Sequence, residues 1–217
     1  MKSLQHPNII QLHGVCKSPL FIVVELVPSN LHQYLLGKGN DTKLPQLINM
    51  CSQIACGMEY LESMYCVHRD LAARNILVTE NNVCKISGFH LAYRGETDYF
   101  TNKKIATRWT APEIFKDVTK SSIKSDVWSF GIVLYEVITY GKTPYADKTN
   151  KEVMAAFKET HYCMQCPEKC PDKLYELMLD CWNKQPDNRP TFHTLHWQLD
   201  DFFTIATESQ YRNVVNL

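Results

Sequence analysis

Residues 125–138 read Ser-Asp-Val-Trp-Ser-Phe-Gly-Ile-Val-Leu-Tyr-Glu-Val-Ile, a run that is apolar on nearly every side of a helical wheel. Such a helix has no face to offer to water, so other elements must cover it all round. The rest of the chain therefore has to close over it as the centre of a core. With 217 residues, 45% of them hydrophobic and 21% charged, there is enough apolar material for one sizeable core or two small ones, which excludes a disordered chain. The formal net charge is +0, so no global attraction to nucleic acid or an anionic membrane is expected, and partners must be recognised locally. No apolar stretch suggests a transmembrane segment or a signal peptide.

Nine cysteines in a chain of this size, an odd number without a secretory leader, read as reduced thiols in a cytosolic setting. Cys163, Cys166 and Cys170 approach a zinc-ligand spacing, but they sit among prolines and lack a matching second pair. Taken in order, Met1 to Leu4 looks like the end of a helix and His6-Pro7-Asn8 like a turn. Two apolar runs, Ile9 to Val15 and Leu20 to Val27, flank Lys17-Ser18-Pro19 and predict a β-hairpin. A lone hairpin is marginal in water, and residues such as Ile22 and Val24 are expected to stay exposed unless something else supports it.

A short helix is predicted over Leu31 to Leu36, closed by Gly37 to Asn40, and a longer one from Pro45 to about Met64. In the longer helix Leu47, Met50, Cys51, Ile54, Met58 and Leu61 recur at three- and four-residue steps and form one apolar stripe. Pro45 stands in the first turn, where its missing N–H costs nothing. Ile76 to Val78 and Val83 to Ile86, joined by Asn81-Asn82, predict a second hairpin. After Ser87 the chain is irregular to about Arg108. Beyond the buried helix, further helices are expected at about Asn150 to Glu159, Asp172 to Trp182 and Thr191 to Ala206, with prolines in the connections.

Between the stripe-bearing helix and the second hairpin lies His68-Arg69-Asp70-Leu71-Ala72-Ala73-Arg74-Asn75. It puts a carboxylate, a guanidinium and an amide in one short loop. Asp70 could accept a proton from an incoming hydroxyl, Asn75 could hold a magnesium ion through its side-chain oxygen, and Arg74 could offset phosphate charge. The competing reading is a polar turn after a helix.

That octet, Trp109-Thr110-Ala111-Pro112-Glu113, Ser125 to Gly131, and Cys181-Trp182 with Arg189-Pro190 stand in the order and spacing of a protein-kinase C-lobe. The chain resembles a protein tyrosine kinase nearly end to end, and Leu199 to Thr204 with Glu208 to Tyr211 is similar to the Src family of cytoplasmic, non-receptor enzymes. The resemblance implies an α+β, protein-kinase-like fold, truncated at the N-terminus and consisting mainly of the helical C-lobe. Residues 1–27 would be a residual N-lobe with two strands and the hinge, 28–206 the C-lobe, and 207–217 a regulatory tail.

The resemblance also assigns roles. Asp70, Arg74 and Asn75 would be catalytic, with ATP and magnesium as the family's cofactors and protein tyrosines as its substrates. Glu25, Leu26 and Val27 would form the hinge that bonds adenine through backbone groups, with Leu77 beneath the ring and Val24 in the gatekeeper position. Glu113 and Arg189 would form an ion pair tying down the activation segment, and Asp126 would hold the backbone of the catalytic loop. A phosphorylated Tyr99 would pair with Arg69, Tyr93 being a weaker candidate, and a phosphorylated Tyr211 would bind an SH2 domain. The location implied is cytoplasmic, with the inner face of the membrane reached through N-terminal parts missing from this chain.

Two departures stand against this pattern. Where active kinases have Asp-Phe-Gly, whose Asp binds magnesium, this chain has Gly88-Phe89-His90. Imidazole is a poor ligand for a hard cation that prefers oxygen, so His90 is not expected to replace the lost carboxylate. The Gly-rich loop, the strand Lys and the helix Glu of a complete kinase are not among these residues, which suggests a start inside the helix that precedes the first strand. Ala106 stands where the family has a Pro that shapes the substrate platform, and the segment between Tyr99 and Trp109 is about two residues short. The first expectation is therefore a Src-like kinase domain that is catalytically impaired as this polypeptide, a pseudokinase or a fragment. The others are an active tyrosine kinase with an incomplete gene model, and a binding module that presents phosphotyrosine.

Overall fold

The computed structural model describes residues 4–38, 41–94, 105–157 and 163–215, from residue 209 onward by backbone alone. Two antiparallel strands, β1 (Leu12–Lys17) and β2 (Leu20–Val24), open the chain, followed by the short strand β3 (Ser29–Asn30). Then come α1 (Leu31–Lys38), α2 (Leu44–Ser63), β4 (Cys66–Val67), β5 (Ile76–Val78), β6 (Cys84–Ile86) and β7 (Tyr93–Arg94). Four helices complete the chain: α3 (Ile123–Ile138), α4 (Asn150–Ala156), α5 (Asp172–Cys181) and α6 (Phe192–Val215). Among the described residues, the mixture of six helices and small sheets is the α+β class expected from the sequence.

The centre is α3. Thirteen of its sixteen residues are buried, so it is covered on every side, as its composition requires. At its start the Ser122 N–H donates to Ser125 Oγ at 3.1 Å, satisfying one of the free donors of the first turn. Gly131 lets α5 approach closely, because a Cβ there would sit 2.6 Å from Trp182 Nε1 and 2.7 Å from Cys181 Cβ. The stripe on α2 is buried as predicted, and this helix packs along α6 as well as against α3 and β6. No described helix is long and apolar enough to cross a membrane.

The strands form three small sheets: β1–β2, β3–β5–β6 and β4–β7. The second expected hairpin is β5–β6, pairing Ile76 with Ile86 and Val78 with Cys84. The first begins later than the sequence suggested. Ile9 and Ile10 are both buried, 2% and 3% exposed, which a half-buried strand cannot achieve at consecutive positions. Instead Ile9 bridges to Ile86, and Asn8 Nδ2 donates to the Cys84 carbonyl at 3.0 Å, so residues 8–10 belong to the main core. From Leu12 on the hairpin projects outward, with Leu20, Phe21 and Ile22 exposed.

Two helix ends also differ. The described part of α4 stops at Ala156, short of Glu159, which lies outside the described residues. At the other end α6 continues past Ala206 to Val215. No Gly or Pro occurs after Pro190, so nothing in the sequence compels the helix to stop earlier.

Candidate active site

The loop 68–75 is fixed from below by two carboxylates of α3. Asp126 Oδ2 accepts from the His68 N–H at 2.6 Å and its Oδ1 from the Arg69 N–H at 2.9 Å. Glu136 Oε2 accepts from the Ala73 N–H at 3.0 Å and from Trp109 Nε1 at 2.9 Å. Both carboxylates are buried, so each is costly unless its oxygens find donors, and the loop backbone supplies them. Burial pushes the Asp126 carboxyl up to about 7 although its two backbone donors pull the other way. Glu136 is raised too, again by burial against the pull of Trp109 and Ala73.

His68 closes the loop from inside. It is fully buried, its Nε2 donates to the Ser87 carbonyl at 2.7 Å, and its Nδ1 accepts from the Asp70 N–H at 3.2 Å. That pattern requires one donor and one acceptor nitrogen, the neutral ring. Burial accordingly pushes its pKa down to about 4. Phe89 packs edge-on against this ring, 5.1 Å between centroids.

Above this floor the three candidate catalytic side chains bond to one another. Arg74 Nη2 pairs with Asp70 Oδ1 at 2.5 Å, and Asn75 Nδ2 donates at 2.7 Å to both Asp70 Oδ2 and the Asp70 carbonyl. The Arg74 guanidinium also lies over the Trp109 ring, 4.5 Å from its centroid. His90 Nε2 stands 3.7 Å from Asp70 Oδ2. An open cleft of about 450 Å³ adjoins this group, lined by Asp70, Arg74, His90, Ala106, Trp109 and Thr143 among others.

Gly88 adopts the left-handed conformation, φ 78° and ψ 29°. A Cβ on it would lie 2.6 Å from Asn75 Cγ and 2.8 Å from Asn75 Oδ1. The Asn75 side chain thus fills the space beside residue 88. A magnesium ion takes near-octahedral oxygen ligands. Here Gly88 supplies none, and of the two positions where the pattern puts side-chain ligands only Asn75 Oδ1 can accept a metal, its Nδ2 being turned to Asp70. The residues present do not fit the family's magnesium site.

The remaining candidates are spread out. Arg189 and Glu113 meet in a two-pronged pair at 2.7 and 2.8 Å, with the Arg189 side chain 0% exposed and also bonded to the carbonyls of Asn183 and Lys124. Arg69 lies over the ring of Tyr93, 4.6 Å from its centroid. Tyr99 lies outside the described residues, and Tyr211 lies on α6 where only the backbone is described. Of the hinge candidates, Leu26 is 98% exposed and Val24 39%. Glu25 turns to Lys85 at 3.0 Å and accepts from the Gln11 N–H at 2.8 Å. Leu77 is half-buried in the middle of the β3–β5–β6 sheet.

Sequence reasoning passed over two residues that build this site. Glu136 is an acid in the apolar second half of α3, between Tyr135 and Val137, and that incongruity was the available signal. Arg108 donates to the carbonyls of Pro144, Tyr145 and Lys148, fastening the segment before Trp109 to the loop after α3; no local pattern marks it.

A family model described as protein tyrosine and serine/threonine kinase matches residues 1–199. Among curated proteins, the tyrosine-protein kinase SRK2 of Spongilla lacustris is 46% identical over 223 residues, 100% of this chain and 61% of that protein. The tyrosine-protein kinase SRK3 of the same organism is 46% identical over 98% of this chain and 65% of its own length. The human tyrosine-protein kinase FRK is 45% identical over 100% of this chain and 44% of its own length. The chain therefore spans less than two thirds of these relatives.

Proposed function

The chain belongs to the protein tyrosine and serine/threonine kinase family, and from that premise we propose that it is a Src-like tyrosine kinase domain impaired in phosphoryl transfer. The observation that carries this reading is internal to the chain. Where the resemblance puts a magnesium-binding Asp, there is Gly88, and Asn75 leans into the space beside it. In phosphoryl transfer the protein contributes mostly positioning and charge neutralisation, so losing the metal ligand removes much of what it can offer. The contacts within Asp70, Arg74 and Asn75 support the same reading, because the base and its neighbours already satisfy each other. The scaffold beneath the loop, Asp126 and Glu136, and the separate Glu113–Arg189 pair are all hydrogen-bonded, which supports a folded domain that acts by binding.

The test incubates the purified 217-residue chain with ATP, magnesium and a tyrosine-containing peptide and measures phosphotyrosine against the Asp70→Asn variant. The expected signal is the same for both. Magnesium-dependent phosphorylation that Asp70→Asn abolishes would overturn the proposal in favour of an active kinase. Src-family membership, a cytoplasmic location and SH2 binding through phosphorylated Tyr211 are finer parts of the proposal. For the last, SH2 pulldown must require phosphorylation and be lost in Tyr211→Phe.

A further inference from the structure

A second cavity, about 770 Å³, lies on the face where α4 meets the turn after Pro112 and the loop after α5. Among the described residues it shares no lining residue with the cleft beside Asp70. Its floor is aromatic. Phe157 is buried, stacks with Phe115 at 6.1 Å between centroids, and is held edge-on by Trp128 at 5.3 Å. Met154, 40% exposed, adds a flexible apolar wall of the kind that moulds to a guest.

The rim has the opposite character. Lys116, Lys120, Lys151 and Lys184 all line the cavity, and they come from three separate parts of the chain. The one carboxylate among the described lining residues, Glu113, has both oxygens committed to the buried Arg189. Nearby, Glu152 is turned to the Thr149 hydroxyl and N–H and Asp117 to Thr119, each serving as a local cap. An apolar floor within a cationic rim selects a ligand with an apolar anchor and several negative charges. Cations on three elements around the opening suit carboxylates spread along a chain better than a single anionic headgroup.

We propose that this cavity is a docking site for an acidic peptide segment of a partner protein, with one bulky apolar side chain seated between Phe115, Phe157 and Met154 and acidic residues facing the lysines. This is independent of catalysis and of nucleotide.

The experiment is fluorescence anisotropy on the full 217-residue chain without ATP. The probe is a short fluorescein-labelled peptide with a central Leu-Phe pair flanked by glutamates. Binding is expected, and it should weaken with added salt as exposed charges are screened. Replacing Leu-Phe by Gly-Ser in the probe should abolish binding. Lys116→Glu and Lys151→Glu together should weaken it about tenfold, a change of about 1.4 kcal/mol. Met154→Asp should weaken it by a similar factor. These are exposed positions, and Lys120→Glu alone, read separately, gives the same sign if the pair of changes perturbs the fold. Equal binding of the Gly-Ser probe, or undiminished affinity in both Met154→Asp and Lys120→Glu, would overturn the proposal. So would tight binding of a labelled dodecanoate with none of the peptide, which would assign the cavity to a lipid-like anion.

Discussion

The floor of the catalytic loop and its front edge are built to different standards. In the buried interior, each charge discussed has a matched partner: beneath residues 68–75 Asp126 takes two backbone N–H groups and Glu136 a backbone N–H and an indole, and away from the loop Arg189 takes Glu113 and two carbonyls. At the front, Gly88 brings no side chain, Asn75 fills the space beside it, and the β1–β2 hairpin shows its apolar residues to solvent. Buried polar groups are expensive to leave half-satisfied, so a floor of this kind is kept whole or not at all. The front edge carries no such penalty. A substitution at the front therefore leaves the support of the loop intact.

The largest effect should come from breaking the buried interior at its ion pair. Arg189→Ala leaves Glu113 without its partner and frees the carbonyls of Asn183 and Lys124. Removing one member of a buried ion pair costs about 3–5 kcal/mol. Urea unfolding should register a loss of that size, while Lys173→Ala, at an exposed pair with Asp201, should cost under about 1 kcal/mol. Equal losses for the two would erase the distinction between a buried interior and an ordinary surface.

A second break uses pH. His68 has a folded value of about 4 against 6.5 unfolded, so its contribution is full above 6.5 and is lost as the pH falls towards 4. Asp126 runs the other way. Raised from 3.8 to about 7, its contribution is full below 3.8 and is lost as the pH rises through 7. Between pH 4 and 6.5 the two slopes oppose, and the pair by itself leaves stability nearly level. His68→Phe leaves the Asp126 slope, so stability should increase as the pH falls across this window, by about 3 kcal/mol. Asp126→Asn should give the reverse slope, measured relative to the unmodified chain. Parallel pH curves for all three proteins would mean that neither group titrates differently on folding.

Much of the floor could be read from the sequence because it sits on regular elements. A helix apolar all round and a helix with a three-and-four stripe specify what they bury, whatever lies around them. The acids and bases of the loop were visible as a motif. Their connections were not: that Asn75 would lean onto Asp70 and beside Gly88 depends on a loop and a strand end meeting in space, thirteen positions apart in sequence. The carbonyls that Arg108 gathers lie 36 to 40 positions away, and a backbone acceptor has no residue type to betray it. The hairpin start was misjudged for a related reason: Ile9 and Ile10 look like strand residues, and only the β6 strand shows them to be core.

The front edge can be sharpened by restoring a carboxylate. Gly88→Asp places a Cβ within 2.6 Å of Asn75 Cγ, so Asn75 must rotate and give up its two bonds to Asp70. Losing hydrogen bonds of this kind costs about 1–3 kcal/mol, with a smaller addition for a non-glycine residue at positive φ. The variant should be less stable by about that amount, and added magnesium should not raise its melting temperature. A magnesium-dependent rise would mean that Asn75 moves readily and that the front edge is one substitution away from a metal site.

The smallest effect belongs to the hairpin. Ile22 is 66% exposed and pairs with Val15, itself 56% exposed, so neither residue gains much from folding. Ile22→Thr keeps a β-branched side chain suited to a strand and removes apolar surface that faces water. Its effect on unfolding free energy should stay within about 0.5 kcal/mol, as for most surface substitutions. Solubility should respond more than stability, because an exposed apolar strand edge is a template for association. Light scattering at matched concentration should therefore fall in the variant while its urea midpoint stays put. A clear loss of stability would instead mean that the hairpin leans on the core through this side chain, and the contrast between floor and front edge would then stop at Gly88.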